Sequence, residues 1–131
     1  DFDRNFSVGT PKPQISKAYD TLLEAVEAGK AAARPGNLAS DVFAAMDAIV
    51  TGGQGTGDAG RLGHGLGMQL TEWPSFIAGD KTPLQEGMVI TLEPGVTVSD
   101  GCILVHEDDF VIRQDGIEQL SPIAPKDMVV I

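Results

Sequence analysis

The sequence contains a single cysteine, Cys102, and only nine lysine and arginine residues against nineteen aspartate and glutamate residues. One cysteine can form neither an internal disulfide nor a cysteine-rich zinc site, and it favours a reducing compartment, which we expect to be the cytoplasm. The formal charge of -10 argues against nucleic-acid binding, because that affinity depends on clustered cations. No apolar run is long enough to span a membrane and no signal peptide is evident, so we expect no membrane partner.

The 131 residues, of which 42% are hydrophobic, are enough for one globular domain, and their pattern predicts an α+β fold. Alternating polar and apolar residues predict a strand over residues 1–8. Helical spacing predicts one helix over residues 13–33 and a second that begins at Ser40 or Asp41, followed by a flexible connector over 52–60. Turn residues then separate short, mostly antiparallel strands over 88–92, 96–98, 103–106, 110–113 and 117–120.

Two residues stand where the backbone could fix a reactive side chain. His64 lies between Gly63 and Gly65, and glycine permits the close approach of a ligand or of another backbone. Such a histidine could be presented into a cleft, although an ordinary turn or strand histidine fits the pattern equally well. Glu93 ends an apolar run before Pro94, where rigid backbone could direct a metal ligand or a base; a solvated glutamate at a strand end is the alternative.

A run of four polar residues follows, of which Glu107 keeps the periodicity of a strand. His106 should point to the opposite face, where it would support a ligand or lie at the surface. Asp108 and Asp109 are typical of solvated hairpin charges. Together with Asp1, one histidine and several carboxylates suit Mn, Fe, Co or Zn, and the excess of carboxylates favours Mn or a pair of such ions.

Four segments, in order, resemble the motifs of the pita-bread metallopeptidases, the group of Xaa-Pro aminopeptidases, prolidases, methionine aminopeptidases and creatinases. Asp1 to Gly9 resembles the strand SDxTRTFxxG from its aspartate onward, and residues 63–67 resemble GHGxG. Residues 91–95 resemble TxEPG, and residues 106–108 resemble xED. The resemblance covers nearly the whole chain and implies a partial pita-bread fold: a strand, two helices and mostly antiparallel strands.

The resemblance also implies roles for individual residues. Asp1 and Glu107 would bridge two divalent metal ions, His64 and Glu93 would bind one of them, and Glu93 would shuttle a proton. His64 and Glu93 are therefore the expected catalytic residues, and Mn is the expected metal, with Co, Zn or Fe as alternatives. The family's fifth ligand, an aspartate upstream of Asp1, is not in this sequence. We therefore expect residues 1–131 to be the later part of a catalytic domain, with an N-terminal domain and the first part of the catalytic domain outside this sequence.

Three positions depart from the proline-directed members of the family. Gly60 and Thr71 stand where those members have histidines, and Val105 stands where many have arginine. Thr71 can donate a hydrogen bond but cannot carry the charge of an imidazolium. We expect Thr71 and Trp73 to contact the substrate, although a lone tryptophan is more often part of a core or a rim.

The resemblance favours a hydrolase that cleaves the amide bond before proline in small peptides and works as a homodimer. The altered positions leave two alternatives open. One is a creatinase-like hydrolase or lyase acting on a non-peptide C–N compound, and the other is a pita-bread module that binds peptides without catalysis. Retention of the four ligands counts against the binding module, which has no chemical need for them.

Overall fold

The computed structural model describes residues 1–55 and 60–131. Its two helices are α1 (Pro13–Ala32) and α2 (Ala39–Val50), and its strands are β1 (Phe6–Ser7), β2 (Gly63–Gly65), β3 (Glu72–Ser75), β4 (Val89–Leu92), β5 (Gly95–Ser99), β6 (Cys102–Val105), β7 (Asp108–Arg113), β8 (Gly116–Gln119) and β9 (Val129–Val130). The predicted α+β order of a strand, two helices and then mostly antiparallel strands is confirmed. Part of the predicted connector, residues 56–59, lies outside the described residues.

Both predicted helices form, but the second begins earlier than expected. The N-cap of α2 is Leu38, not Ser40 or Asp41, and the Asp41 carboxylate instead accepts the Leu38 backbone N–H at 2.8 Å. The next two amides of the helix donate to the carbonyl groups of Thr82 and Asp80, which satisfies groups that a capping side chain would otherwise serve. Within the described residues, neither helix has the length and apolar character needed to cross a membrane.

A five-stranded antiparallel sheet in the order β3-β2-β4-β7-β8 carries the site, with β5 and β6 forming a separate hairpin. The runs predicted as the last five strands correspond to β4 to β8, with ends shifted by one or two residues. The sequence did not predict β2 and β3 as strands. The predicted first strand was too long, since only Phe6–Ser7 pairs, in parallel with Val129–Val130.

The hydrophobic core lies between the two helices and one face of the five-stranded sheet. It includes Val42 and Met46 of α2 and Ile90, Leu92 and Phe110 of the sheet, all fully buried. The helices contribute a stripe of apolar residues at helical spacing, as the sequence predicted. This packing leaves the ends of β2, β4 and β7 as the rigid support for polar side chains.

The glycines around His64 allow β2 to lie unusually close to its neighbours. A Cβ on Gly63 would overlap the Thr91 carbonyl oxygen of β4, and a Cβ on Gly65 would overlap the Trp73 carbonyl oxygen of β3. Gly63 also has a φ of 143°, which favours glycine. These two glycines therefore make room for neighbouring strands, which is the close approach of another backbone that the sequence allowed.

We expect Gly63→Ala to lower the free energy of unfolding by at least about 2 kcal/mol, because the new Cβ meets backbone atoms that cannot rotate away. Chemical denaturation measures the change. Gly79→Ala is the matched control, since a Cβ there meets nothing within 4 Å and should change the stability by less than about 0.5 kcal/mol. Equal stability of the two variants would contradict the close packing of β2.

Candidate metal centre

Strand pairing brings three of the predicted ligands to one end of the sheet. His64 lies on β2 opposite Thr91 of β4, and Thr91 lies opposite Asp109 of β7. Glu93 directly follows β4, and Glu107 directly precedes β7. Because β2, β4 and β7 are neighbours, these side chains converge although they are far apart in sequence.

The His64 imidazole is the centre of this cluster. Its Nε2 lies 3.6 Å from Asp1 Oδ2, 3.6 Å from Glu107 Oε1 and 3.9 Å from Glu93 Oε2. Ligand atoms of Asp1, His64 and Glu107 all lie within 4.8 Å of one another. Oxygen and nitrogen ligands bind a first-row metal at about 2.0–2.2 Å, which places neighbouring ligands roughly 3–4 Å apart. The spacing therefore fits a shared divalent cation.

The orientation of the His64 ring suits metal binding. Its Nδ1 lies 2.8 Å from the Gly65 carbonyl oxygen, which can only accept a hydrogen bond. Nδ1 must therefore carry the proton, and Nε2 presents its lone pair to the three carboxylates. With only 2% of its surface exposed, the ring is held by β2 and cannot turn freely.

Among the carboxylates of the cluster, Glu107 is the one that a bound cation would stabilise most. It is 3% exposed, and its Oε1 has no hydrogen-bond partner within the described part of the chain. Burial, reinforced by the charge of Glu93, raises the pKa of Glu107 to about 7. A divalent ion bound to the ionised carboxylate would offset both the loss of solvent and the repulsion by Glu93. The residues present thus fit a metal ion.

The prediction that Asp108 is a solvated hairpin charge is wrong. Asp108 is buried and accepts hydrogen bonds from Arg4 Nη2 at 2.6 Å, Ser121 Oγ at 2.6 Å and His106 Nε2 at 2.9 Å. Burial alone would raise the pKa of Asp108, but these hydrogen bonds outweigh it and lower that pKa. Three donors compensate for the loss of solvent, which is why the charge can lie inside.

Asp109 is also buried, contrary to the same prediction, and it faces the site. Its Oδ2 accepts a hydrogen bond from the Asp1 backbone nitrogen at 3.0 Å, and its Oδ1 has no hydrogen-bond partner among the described residues. In β7 its side chain shares a face with Thr91 and His64. Alternation along the strand places Asp108 and Asp109 on opposite faces, and both faces are covered.

His106 lies in the interior, so the surface alternative for this residue is wrong. Its ring is fully buried, points to Asp108 and packs edge-on to Tyr19 at 6.3 Å. The same buried network includes Arg4, whose Nη1 donates to the Glu107 backbone oxygen at 2.9 Å. Arg4 was not predicted as a functional residue; its only signal in the sequence is its place inside the motif that begins at Asp1.

The two residues expected to contact substrate line a cleft that also contains Arg61, whose Nε lies 4.0 Å from Glu93 Oε2. The cleft has a volume of about 570 Å³, and its walls include Arg61, Thr71 and Trp73. Trp73 is 74% exposed and forms part of the rim. Arg61 was not identified from the sequence, in which it lies two residues before Gly63. A carboxylate-rich centre beside a cleft can bind divalent cations and present them to a small ligand.

The chain is similar to known proteins in both sequence and fold. The family described as Metallopeptidase family M24 matches residues 1–114. An Xaa-Pro dipeptidase from Pyrococcus furiosus is 35% identical over 92% of this chain and 35% of its own length, and one from Lactobacillus helveticus is 34% identical over 92% and 33%. The crystal structure of an X-Pro aminopeptidase from Thermotoga maritima superposes with a TM-score of 0.88 at 27% identity, over 100% of this chain and 37% of that one. The chain thus spans about a third of the length of these relatives.

The raised pKa of Glu107 predicts that the metal-free protein loses stability as pH rises. The carboxyl titrates near 4.5 when unfolded and near 7 when folded, so the folded state holds the extra proton between these values. We expect the free energy of unfolding to fall by up to about 3 kcal/mol across this window. Denaturation with chelator present measures it, and Glu107→Gln should remove this component. The same pH slope in both proteins would contradict the effect.

His64→Ala and Glu107→Ala are each expected to weaken Mn²⁺ binding by at least about tenfold, because each removes an atom of the cluster. Titration calorimetry measures the affinity, and circular dichroism checks that the fold is kept. The exposed Glu86→Ala is the control and should bind like the wild type. Unchanged affinity in both site variants would exclude this cluster as the metal centre.

Proposed function

This chain belongs to metallopeptidase family M24, and from that premise we propose that it forms the later part of the catalytic domain of an Xaa-Pro peptidase. The substrate would be a small peptide cleaved at the amide bond before proline. The observation that carries the proposal is the convergence of Asp1, Glu93 and Glu107 on Nε2 of His64, beside an open cleft.

Two divalent metal ions, Mn first and Co, Zn or Fe as alternatives, are the proposed cofactors. Asp1 and Glu107 would bridge them, and His64 and Glu93 would bind one. When bound, such ions lower the pKa of a water molecule and polarise the scissile carbonyl group. The unpartnered Oε1 of Glu107 and the lone pair of His64 Nε2 support this assignment. The fifth ligand would come from sequence upstream of Asp1.

The two glutamates differ in a way that suits different roles. The Glu93 side chain is 30% exposed and lines two smaller cavities that share Arg61 with the cleft, whereas the Glu107 side chain is 4% exposed. Glu93 can therefore exchange a proton with a molecule in these two cavities, as a general base and acid must. Thr71 and Trp73, which line the adjoining cleft, would contact the substrate.

The composition supports the proposed setting. The single cysteine favours a cytoplasmic protein, and the net charge of -10 argues against a nucleic-acid partner. Small peptides are the proposed partners because of the resemblance, and no membrane partner is proposed. A homodimer is proposed from the resemblance alone. Gly60 and Thr71 stand where proline-directed members of the family have histidines. These two positions therefore leave a second candidate function, which is action on a non-peptide C–N substrate at the same metal centre.

The test uses the full-length protein, purified without chelator, and an Ala-Pro dipeptide with and without added Mn²⁺. We expect about two ions per chain and metal-dependent cleavage, and Glu93→Gln should lower kcat at least about 100-fold while some metal stays bound. Glu86→Gln is the control for loss of a carboxylate. Bound metal without cleavage would favour the non-peptide substrate, and absence of metal binding would favour a binding module.

A further inference from the structure

Asp1 is the one residue of the proposed metal centre that neither lies on nor adjoins a strand of the five-stranded sheet. His64 lies on β2, Glu93 directly follows β4 and Glu107 directly precedes β7. Asp1 instead belongs to residues 1–5, a segment before β1 that forms no strand. Contacts outside the sheet must therefore keep Asp1 Oδ2 at 3.6 Å from His64 Nε2.

The Arg4 guanidinium attaches this segment to the chain that carries Glu107. Its Nη1 donates to the Glu107 backbone oxygen at 2.9 Å and to the Asp3 backbone oxygen at 2.8 Å. Its Nη2 donates to Asp108 Oδ1 at 2.6 Å and to the Pro122 backbone oxygen. One planar group therefore joins the segment before β1 to Glu107 and to its neighbour in β7.

Asp108 gives the guanidinium a rigid anchor. It is the first residue of β7, its side chain is 5% exposed, and it also accepts hydrogen bonds from Ser121 Oγ and His106 Nε2. The Phe2 ring covers one face of the guanidinium, with Arg4 Cζ 5.0 Å from the ring centroid. Because the hydrogen bond between Arg4 and Asp108 joins two charged groups, it is roughly twice as strong as one between neutral groups.

Asp1 is attached at a second point as well. Its backbone nitrogen donates to Asp109 Oδ2 at 3.0 Å. A single bond at that nitrogen would let the segment pivot, and the contacts of Arg4, three residues further along, remove this freedom. The Asp3 backbone N–H supports them with a bond of 3.2 Å to the Glu107 backbone oxygen. Both ends of the segment are thereby fixed to the same stretch of chain.

We propose that Arg4 is a positioning residue of the metal centre, which fixes Asp1 and Glu107 at the separation that a shared cation requires. This inference rests on the proposed function, in which these two carboxylates bind the metal ions together. Asp1 Oδ2 and Glu107 Oε1 each lie 3.6 Å from His64 Nε2, which is the spacing of neighbouring ligands around one ion. Arg4 contacts none of these ligand atoms, so it acts through the backbone that carries them.

The arginine leaves the carboxylate of Glu107 available to a cation. Its Nη1 contacts the Glu107 carbonyl oxygen, while Glu107 Oε1 has no hydrogen-bond partner among the described residues. The charges of Glu93, Asp3 and Asp109 repel this carboxylate when it is ionised, so a flexible backbone would let it move away. A site whose ligands are already in place loses less freedom on binding, and its affinity for the metal is higher.

The experiment measures Mn²⁺ affinity by titration calorimetry in the full-length protein. The main variant combines Arg4→Gln with Asp108→Asn, which removes both charges of the pair and leaves no buried charge unpaired. We expect this double variant to bind Mn²⁺ at least about tenfold more weakly than the wild type. Circular dichroism checks that the fold is kept.

A conservative variant and a control separate positioning from general destabilisation. Arg4→Lys keeps the charge beside Asp108 but lacks the planar fork, so it should lose at least about threefold in affinity and less than the double variant. It carries the same comparison if the double variant does not fold. Tyr19→Phe removes the hydrogen bond from Tyr19 to the Pro125 backbone oxygen, away from the ligands, and should bind Mn²⁺ like the wild type.

Crystal structures of the wild type and the variants, grown with chelator, supply a readout that needs no metal. We expect the distance from Asp1 Oδ2 to His64 Nε2 to grow from 3.6 Å by at least about 1 Å in the double variant. The distance from Glu107 Oε1 to His64 Nε2 should change less, because the sheet supports both residues.

The outcomes distinguish this inference from the proposed function. Unchanged Mn²⁺ affinity in the variants of Arg4, or an equal loss in Tyr19→Phe, would overturn the inference while the metal centre stands. Weaker binding at unchanged distances would mean that Arg4 does not position Asp1, and would also overturn it. If the wild type binds no Mn²⁺, the proposed function fails, and the crystal structures alone decide whether Arg4 positions Asp1.

Discussion

The packing of β2 between β3 and β4 is the constraint on which the site depends. Gly63 and Gly65 carry no side chain, so both neighbouring backbones lie where a Cβ would stand. This contact fixes His64 in a buried position and leaves Nε2 as its one free nitrogen. Because the same sheet supports Glu93 and Glu107, the position of β2 sets the distances from His64 to these two carboxylates.

Concentrating carboxylates inside a small domain is unfavourable unless each charge finds a partner. Asp108 finds three hydrogen-bond donors, and its pKa is lowered in spite of burial. Glu107, on the neighbouring position, keeps an unpartnered oxygen and a pKa raised to about 7. This contrast separates a residue that stabilises the fold from one that is suited to a cation. The buried Arg4 links the two, since it contacts both Asp108 and the backbone of Glu107.

Family membership and substrate choice rest on different parts of the chain. The motif residues His64, Glu93 and Glu107 converge at the sheet end, and the family matches residues 1–114. The walls of the adjoining cleft are formed by other residues, including Thr71 and Arg61. Because these cleft residues lie outside the motifs, the motifs by themselves do not determine which molecule the cleft accepts.

The sequence by itself determined the two amphipathic helices, most of the antiparallel strands and the candidate ligands, since periodicity and motifs are local properties of the chain. It could not reveal β2 and β3, whose few residues and glycines carry no periodic pattern. It also misjudged Asp108 and Asp109, because their burial depends on contacts with Arg4, Ser121 and Asp1, which are not their neighbours in the chain. Only the tertiary structure placed Arg61 beside Glu93, because contacts between distant segments arise from strand pairing and not from local spacing.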